Sequence, residues 1–337
     1  MTERRSILHV LPSPYYGAAS NSCFTVRDDL GSLFTTDIVL VSDFEGYDAD
    51  WKQGFEYLSM RCSSIRTYAS ADDIPEDLAE MAGAAYCIEY DPDRTKRSDG
   101  SPAVPGARRS VLWEMNGPSE RRPGDGEALV SSLYAKPGRG VYPMIISGKL
   151  KSIAGSMSRP TVGVLFSPFE DVWFRDRADV LACAAIRASK EGGRVIVSDT
   201  VAHFPLPSAE VLAGERKVQL TRLKWCVGHE WKVGAICDVA VCPLPSNGGF
   251  PFVMATCMSE GRACIGVYDA EAPDCFVKDS VNAFTCHSND LDGLASRIWW
   301  LLGNRRQLET MATNAQLSSY FYDKDSCLPP FRGALLG

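Results

Sequence analysis

Residues 161–198 read TVGVLFSPFEDVWFRDRADVLACAAIRASKEGGRVIVS, and their pattern decides the fold class. The run 161–167 predicts a short buried strand. Apolar positions recur at helical spacing over 176–191, Gly192-Gly193 ends that pattern, and 194–198 (RVIVS) predicts the next strand. Working outward, 225–237 predicts a helix, 238–243 (DVAVCP) a strand, 246–252 a glycine-containing loop, 253–261 a helix and 263–267 a strand. Two amphipathic helices follow over 291–303 and 304–317. The N-terminal half repeats the alternation. The run 7–11 (ILHVL), bounded by Arg5-Ser6 and Pro12, predicts a strand. A loop with Pro14 and Gly17 follows over 13–19, then a helix over 20–33 and a strand over 37–42 (DIVLVS). Further on, 77–85 has helical character, and 85–89 and 110–113 have strand character. Residues 91–109 and 120–127, rich in Pro, Gly, Ser and charge, are loops. Alternating strands and helices in both halves imply two doubly wound parallel sheets, with a linker near 148–160.

The composition agrees with this. The chain has 337 residues, 45% hydrophobic and 23% charged, which suits two folded domains and excludes wholesale disorder. No run of about 18 apolar residues occurs, so no membrane-spanning helix is expected. The N-terminus MTERRSILHVLPSPYYG lacks the apolar core of a secretory signal. A cytoplasmic, soluble protein is therefore the expectation.

The net charge of −7 is unevenly spread. Residues 1–93 carry 17 acids and 6 bases, whereas 94–160 carry 5 acids and 12 bases. The basic zone from Arg94 to Arg159 is either an anion-facing surface, for a phosphate, a lipid headgroup or nucleic acid, or a solvated loop answering the acidic N-terminal third. The 12 cysteines form no C-x-x-C pair, and several sit within apolar runs. They predict buried reduced thiols rather than disulfides or zinc ligands. His9, His203, His229 and His287 have no metal-ligand spacing, so no metal is expected. The letters Asp48-Ala49-Asp50 fall in the early acidic loop, not after a hydrophobic strand.

In open α/β sheets, ligands sit outside the carboxyl ends of strands, where helix N-termini direct N–H groups outward. Two such places carry glycine. The loop 14–19 lacks G-x-G-x-x-G, which argues against a nicotinamide-type pyrophosphate site. The loop Ser246-Asn247-Gly248-Gly249-Phe250-Pro251-Phe252 precedes a helix, so backbone and dipole could meet an anion there; an ordinary turn is the competing reading.

The stretch 238–261, DVAVCPLPSNGGFPFVMATCMSEG, resembles the donor-site motif of GT-B glycosyltransferases, especially the retaining family GT4. Gly249 and Phe250 match the family's loop, and Met258 and Gly261 match the end of its helix. The segment from Arg262 onward is similar to the family's next strand and closing helices, and LHVLPSPYYGAAS to its first strand and glycine loop. The resemblance implies two Rossmann-like domains facing across a cleft. Residues 1–150 would be the acceptor domain and 160–318 the nucleotide-sugar domain, with 319–337 a tail able to cross back to the N-domain. The family places two glutamates in this motif, one on the sugar and one on the ribose; the matching positions here are Gly248 and Thr256. The Thr256 hydroxyl could still give one hydrogen bond to a ribose. The family's cations for the diphosphate usually follow the first strand of this domain; here that loop, FSPFEDVWFRDRAD, is longer and offers Arg175 and Arg177 as the candidates, with a solvated helix start as the competing reading.

The implied donor-binding residues are therefore Gly17, Arg175, Arg177, Gly248, Gly249, Phe250, Pro251, Phe252 and Thr256. Tyr15, Tyr16, Ala18 and Asn116 are the candidates on the acceptor side. Leu112–Pro118 also resembles the acid-bearing turn of bacteriophage DNA β-glucosyltransferases, which makes Glu114 the candidate catalytic base; a surface glutamate beside a turn is the alternative. The implied activity is transfer of a sugar from a nucleotide diphosphate sugar, UDP-linked by expectation, to an acceptor hydroxyl. That needs no cofactor beyond the co-substrate. The acceptor could be a hydroxymethylated base in DNA, a glycolipid or a saccharide. Loss of both family carboxylates supports the rival reading, a non-catalytic GT-B scaffold. Trp299-Trp300 is expected to pack in the core or between domains.

Overall fold

The computed structural model of the chain describes residues 5–13, 18–42, 49–90, 92–114, 127–131, 140–141, 159–165, 172–199, 205–224, 236–244, 251–269, 277–320 and 324–336. The chain divides into two compact units, Met1–Ser147 with Tyr322–Gly337, and Gly148–Phe321.

The first unit is built on a parallel sheet of seven strands in the order β3-β2-β1-β4-β5-β6-β7. These are β1 (Ser6–Leu11), β2 (Thr35–Val41), β3 (Ser64–Tyr68), β4 (Ala84–Tyr90), β5 (Arg109–Glu114), β6 (Glu127–Ser131) and β7 (Gly140–Val141). The helices are α1 (Ala18–Leu30), α2 (Ala49–Ser59), the single turns α3 (Leu78–Met81) and α4 (Pro92–Thr95), and α10 (Lys324–Leu336) from the far end of the chain. The strand order reverses between β1 and β4, the doubly wound arrangement. One sheet face packs Leu8, Val10, Val39 and Cys87 against Ile74, Leu78 and Val104. On β1, β4 and β5, His9, Tyr90 and Trp113 form an aromatic ladder that continues to Phe331 of α10. Their ring centroids are 6.0, 5.6 and 4.6 Å apart in turn. Arg332 of α10 adds an ion pair to Asp29 of α1.

The second unit has a parallel sheet of six strands in the order β10-β9-β8-β11-β12-β13. They are β8 (Thr161–Val164), β9 (Arg194–Asp199), β10 (Gln219–Lys224), β11 (Val239–Pro243), β12 (Ala263–Tyr268) and β13 (Phe284–His287). Its helices are α5 (Val172–Ala188), α6 (Pro207–Glu215), α7 (Phe252–Ser259), α8 (Leu291–Gly303) and α9 (Arg305–Ser319). One contiguous core joins Val162, Leu181, Ile186, Val197, Val241, Ile265, Ile298 and Leu301.

Two parallel sheets with helices are what the alternation implied. Several details differ. The helix expected over 77–85 is only Leu78–Met81, because Ala84 already pairs in β4. The helix expected over 225–237 falls on residues that, up to 235, lie outside those described. Trp299 and Trp300 are not core residues: they are 60% and 39% exposed. Leu294, Ile298 and Leu301, at spacings of three and four, form the buried face of α8, which turns both indoles outward. Trp300 makes only an edge contact with Phe284 among the rings described. Every described cysteine is a free thiol and all but Cys62 are buried.

His9 sits at the heart of the first unit with 0% exposure. Its Nδ1 is 3.1 Å from the Tyr90 hydroxyl, and among the described residues its Nε2 has no hydrogen-bond partner. Burial, assisted by the nearby Arg27 charge, pulls its pKa from 6.5 to about 3. The unfolded chain therefore binds a proton that the folded one refuses. Stability from this group is complete above pH 6.5 and is lost as pH falls toward 3, with about 2 kcal/mol gone by pH 5. Urea unfolding at pH 7 and pH 5 should show that loss, and His9→Phe should reduce it. Phe331→Ala should lower the stability of the first unit by about 3–5 kcal/mol, read as a fall in its melting temperature.

Candidate functional site

Ligands of doubly wound sheets lie at strand carboxyl ends, near the point where the strand order reverses. In the second unit that point is between β8 and β11. β11 pairs with β8 on one side and β12 on the other, so its carboxyl end, Pro243, stands at the centre of the mouth. Pro251 then begins α7, FVMATCMS. No acid lies in the first turn of α7, and every residue from Phe252 to Met258 is buried. A helix apolar on all sides is a core element, and α7 packs against both the sheet and α9. It ends at Gly261, whose φ of +67° lets the Arg262 N–H reach the Cys257 carbonyl at 3.1 Å, a Schellman closure that a side chain would strain. Beneath α7 the Cys242 thiol meets those of Cys257 and Cys264, and burial raises it well above its ordinary range. Such thiols pack; they do not react.

The sequence candidates fall in different places. Thr256 is buried, and its hydroxyl donates to the Phe252 carbonyl at 2.8 Å, so its one proton goes to its own helix. Phe252 is also buried. Gly248, Gly249 and Phe250 lie outside the described residues, as does the side chain of Arg175 in α5. Arg177, in the second turn of α5, directs Nη1 to Asn289 Oδ1 at 2.6 Å and to the carbonyl and hydroxyl of Ser288 at 3.4 Å. Ser288 in turn donates to Asp269 Oδ1 at 3.0 Å. A polar chain therefore joins α5 to the turn after β13 and to the end of β12. Sequence reading missed Asp269, Ser288 and Asn289. No local motif marks them, and Arg177 meets Asn289 across 112 residues of chain.

In the first unit Glu114 is the last residue of β5, in register with Ser131 of β6. It is therefore at a strand's carboxyl end, directly after the immobilised Trp113. The Glu114 side chain lies outside the described set, as do Tyr15, Tyr16, Gly17 and Asn116; Ala18 opens α1. Of the basic zone, Arg97 donates to the Ile74 carbonyl and Lys96 pairs with Asp93, while Arg159 bonds Gln219. Arg121, Arg122, Lys136, Arg139, Lys149 and Lys151 lie outside the described residues. A cavity of about 540 Å³ lined by Arg27, Thr36, Arg61 and Cys62 is at the opposite, amino end of the first sheet. Among the described residues no group of three or more His, Cys, Asp or Glu could hold a metal ion. No described helix is long and apolar enough to cross a membrane.

No protein-family model matches the sequence, and no curated protein sequence is similar to it. Solved structures do match. A glycosyltransferase from Rickettsia africae superposes with a TM-score of 0.65 at 10% identity, over 98% of this chain and 97% of its own. Anabaena HepE, solved with UDP and glucose, gives 0.65 at 13% identity over 98% of both chains. MurG of Acinetobacter baumannii gives 0.62 at 10% identity, over 96% of this chain and 99% of its own. The chain has the GT-B fold.

The commitment of the Thr256 hydroxyl to α7 can be tested directly. If UDP binds at this mouth, Thr256→Val should leave its affinity within about threefold in calorimetric titration. A tenfold loss would show that the hydroxyl turns to a ligand.

Proposed function

We propose that this protein is a glycosyltransferase that moves a sugar from a nucleotide diphosphate sugar, UDP-linked, to an acceptor hydroxyl. The observation that supports it best is a coincidence of sequence and structure. The stretch resembling a donor motif forms a strand and a buried helix at the central carboxyl end of the second sheet, in a fold shared over nearly the whole chain with a protein solved with UDP and glucose. In this reading the donor lies against the second unit, at the loop of Gly248, Gly249 and Phe250 and the start of α7. The charges of Arg175 and Arg177 favour the diphosphate as it leaves.

The reaction breaks the bond from the anomeric carbon to the diphosphate oxygen and forms one to the acceptor oxygen. The acceptor's proton passes to a base, which we assign to Glu114. Its place directly after Trp113 suits that role, because the ring between Tyr90 and Phe331 fixes the backbone it extends from. Tyr15, Tyr16, Ala18 and Asn116 would face the acceptor. We propose that no metal takes part: Ala49 and Asp50 of the Asp-x-Asp letters begin α2 instead of following a strand.

The basic zone supports an anionic acceptor, with hydroxymethylated DNA or a glycolipid as the candidates. One observation favours a second reading, a non-catalytic scaffold: Gly248 offers no carboxylate, and the Thr256 hydroxyl is spent on α7.

Titration calorimetry with UDP, UDP-glucose and GDP-sugars separates the two. The enzyme reading expects binding of at least one donor and slow hydrolysis of it, and absence of binding at millimolar donor would overturn it. Glu114→Ala should lower the transfer rate by about 10²–10⁴ with donor affinity unchanged; a rate within a few-fold of wild type removes Glu114 as the base. If DNA is the acceptor, its affinity should fall steeply between 50 and 200 mM salt, roughly as the number of phosphates contacted.

A further inference from the structure

We propose that Asp269 is a donor-binding residue whose second carboxylate oxygen accepts hydrogen bonds from a vicinal diol of the bound nucleotide sugar. This rests on the nucleotide-sugar reading above and names a contact within it.

Asp269 directly follows β12, one strand across from β11. The Leu244 N–H, just beyond the end of β11, bonds the Val267 carbonyl at 2.7 Å, so Asp269 lies slightly further out on the same mouth. Its side chain is partly exposed. One oxygen, Oδ1, accepts from the Ser288 hydroxyl at 3.0 Å. That hydroxyl is buried, and the Arg177 guanidinium lies 3.4 Å from it while also bonding Asn289 Oδ1 at 2.6 Å. Three elements therefore fix the carboxylate: β12, the turn after β13, and α5. Its other oxygen, Oδ2, makes no hydrogen bond with a described residue.

A carboxylate accepts only, and each oxygen can take more than one O–H donor. Hydrogen bonds to a charged acceptor are about twice as strong as neutral ones. Adjacent hydroxyls, present on both a ribose and a hexose, are the donors that match. The other described candidates at this mouth are already committed. Thr256 gives its proton to Phe252, and Asp290 caps α8 by accepting from the Gly293 N–H at 2.9 Å. Holding one oxygen still while leaving the other open is how a binding carboxylate is pre-organised.

The experiment compares wild type with Asp269→Asn by titration calorimetry against three ligands: UDP-glucose, UDP and 2′,3′-dideoxyuridine diphosphate. Asparagine keeps the shape and can still accept from Ser288, so the melting temperature should be unchanged. Affinity for UDP-glucose should fall about 10–100-fold. A loss shared by UDP but absent with the dideoxy nucleotide places the diol on the ribose. A loss for UDP-glucose with UDP unchanged places it on the transferred sugar. Equal affinity of wild type and variant for UDP-glucose overturns the assignment, as does an equal loss with the dideoxy nucleotide. Should Asp269→Asn fail to fold, Ser288→Ala, which frees the fixed oxygen, should weaken UDP-glucose binding several-fold while sparing the dideoxy nucleotide; no change there overturns it equally. If wild type binds none of the three ligands, the nucleotide-sugar reading itself falls, a result distinct from failure of Asp269 alone.

Discussion

Both sheets are parallel throughout, and a parallel sheet must be covered on both faces because its crossover connections lie there. In the second unit α5 packs with α6 and α8, while α7 packs with α9, so helices close over the strands. Chemistry is then confined to the strand ends, where polar groups meet solvent and where helix N-termini present N–H groups. That constraint explains why β11 can be almost wholly buried while the residues just past β12 and β13 are polar: Asp269, Ser288, Asn289 and Asp290. It also explains the composition of α7. A helix enclosed on all sides can keep only a hydroxyl that bonds its own backbone, and Thr256 does so.

The first unit meets the same constraint with a helix borrowed from the end of the chain. Phe331 is fully buried against Trp113, and Cys327, Leu328 and Leu335 are buried with it. An indole left bare on β5 would expose a large apolar area, of the order of 2–3 kcal/mol by transfer. Within the ladder His9 supplies a ring of aromatic shape whose nitrogen still meets the Tyr90 hydroxyl. The cost is one orphaned nitrogen, and burial keeps the ring neutral.

The central strands were legible because burial on both faces leaves an unbroken apolar run: ILHVL, DIVLVS and DVAVCP announce β1, β2 and β11. The edges were not. β3, SIRTY, is only half-buried along its length, and β10, QLTRLK, has only two apolar residues and ends in lysine. Edge strands carry such charge because it discourages pairing with other chains, and the same charge hides them from a search for apolar runs. At the site, the strand Val239–Pro243 and the helix Phe252–Ser259 were readable from local letters. The contacts that orient polar groups were not, since Ser288 meets Asp269 across 19 residues and Arg177 across 111. Such pairs follow from strand order, which no local pattern records.

Arg177 shows what that non-local information changes. By sequence it is a cation near a diphosphate; in the fold its Nη1 is held by Ser288 and Asn289. Those oxygens are neutral acceptors, and the bonds to them orient the guanidinium. The same bonds fix the hydroxyl of Ser288, which in turn fixes Asp269. One arginine on α5 thereby orders, through Ser288, a carboxylate directly after β12. Under the proposed nucleotide-sugar reading, that ordered carboxylate is the group that would meet a donor's hydroxyls, and its position follows from contacts 19 and 111 residues apart in the chain.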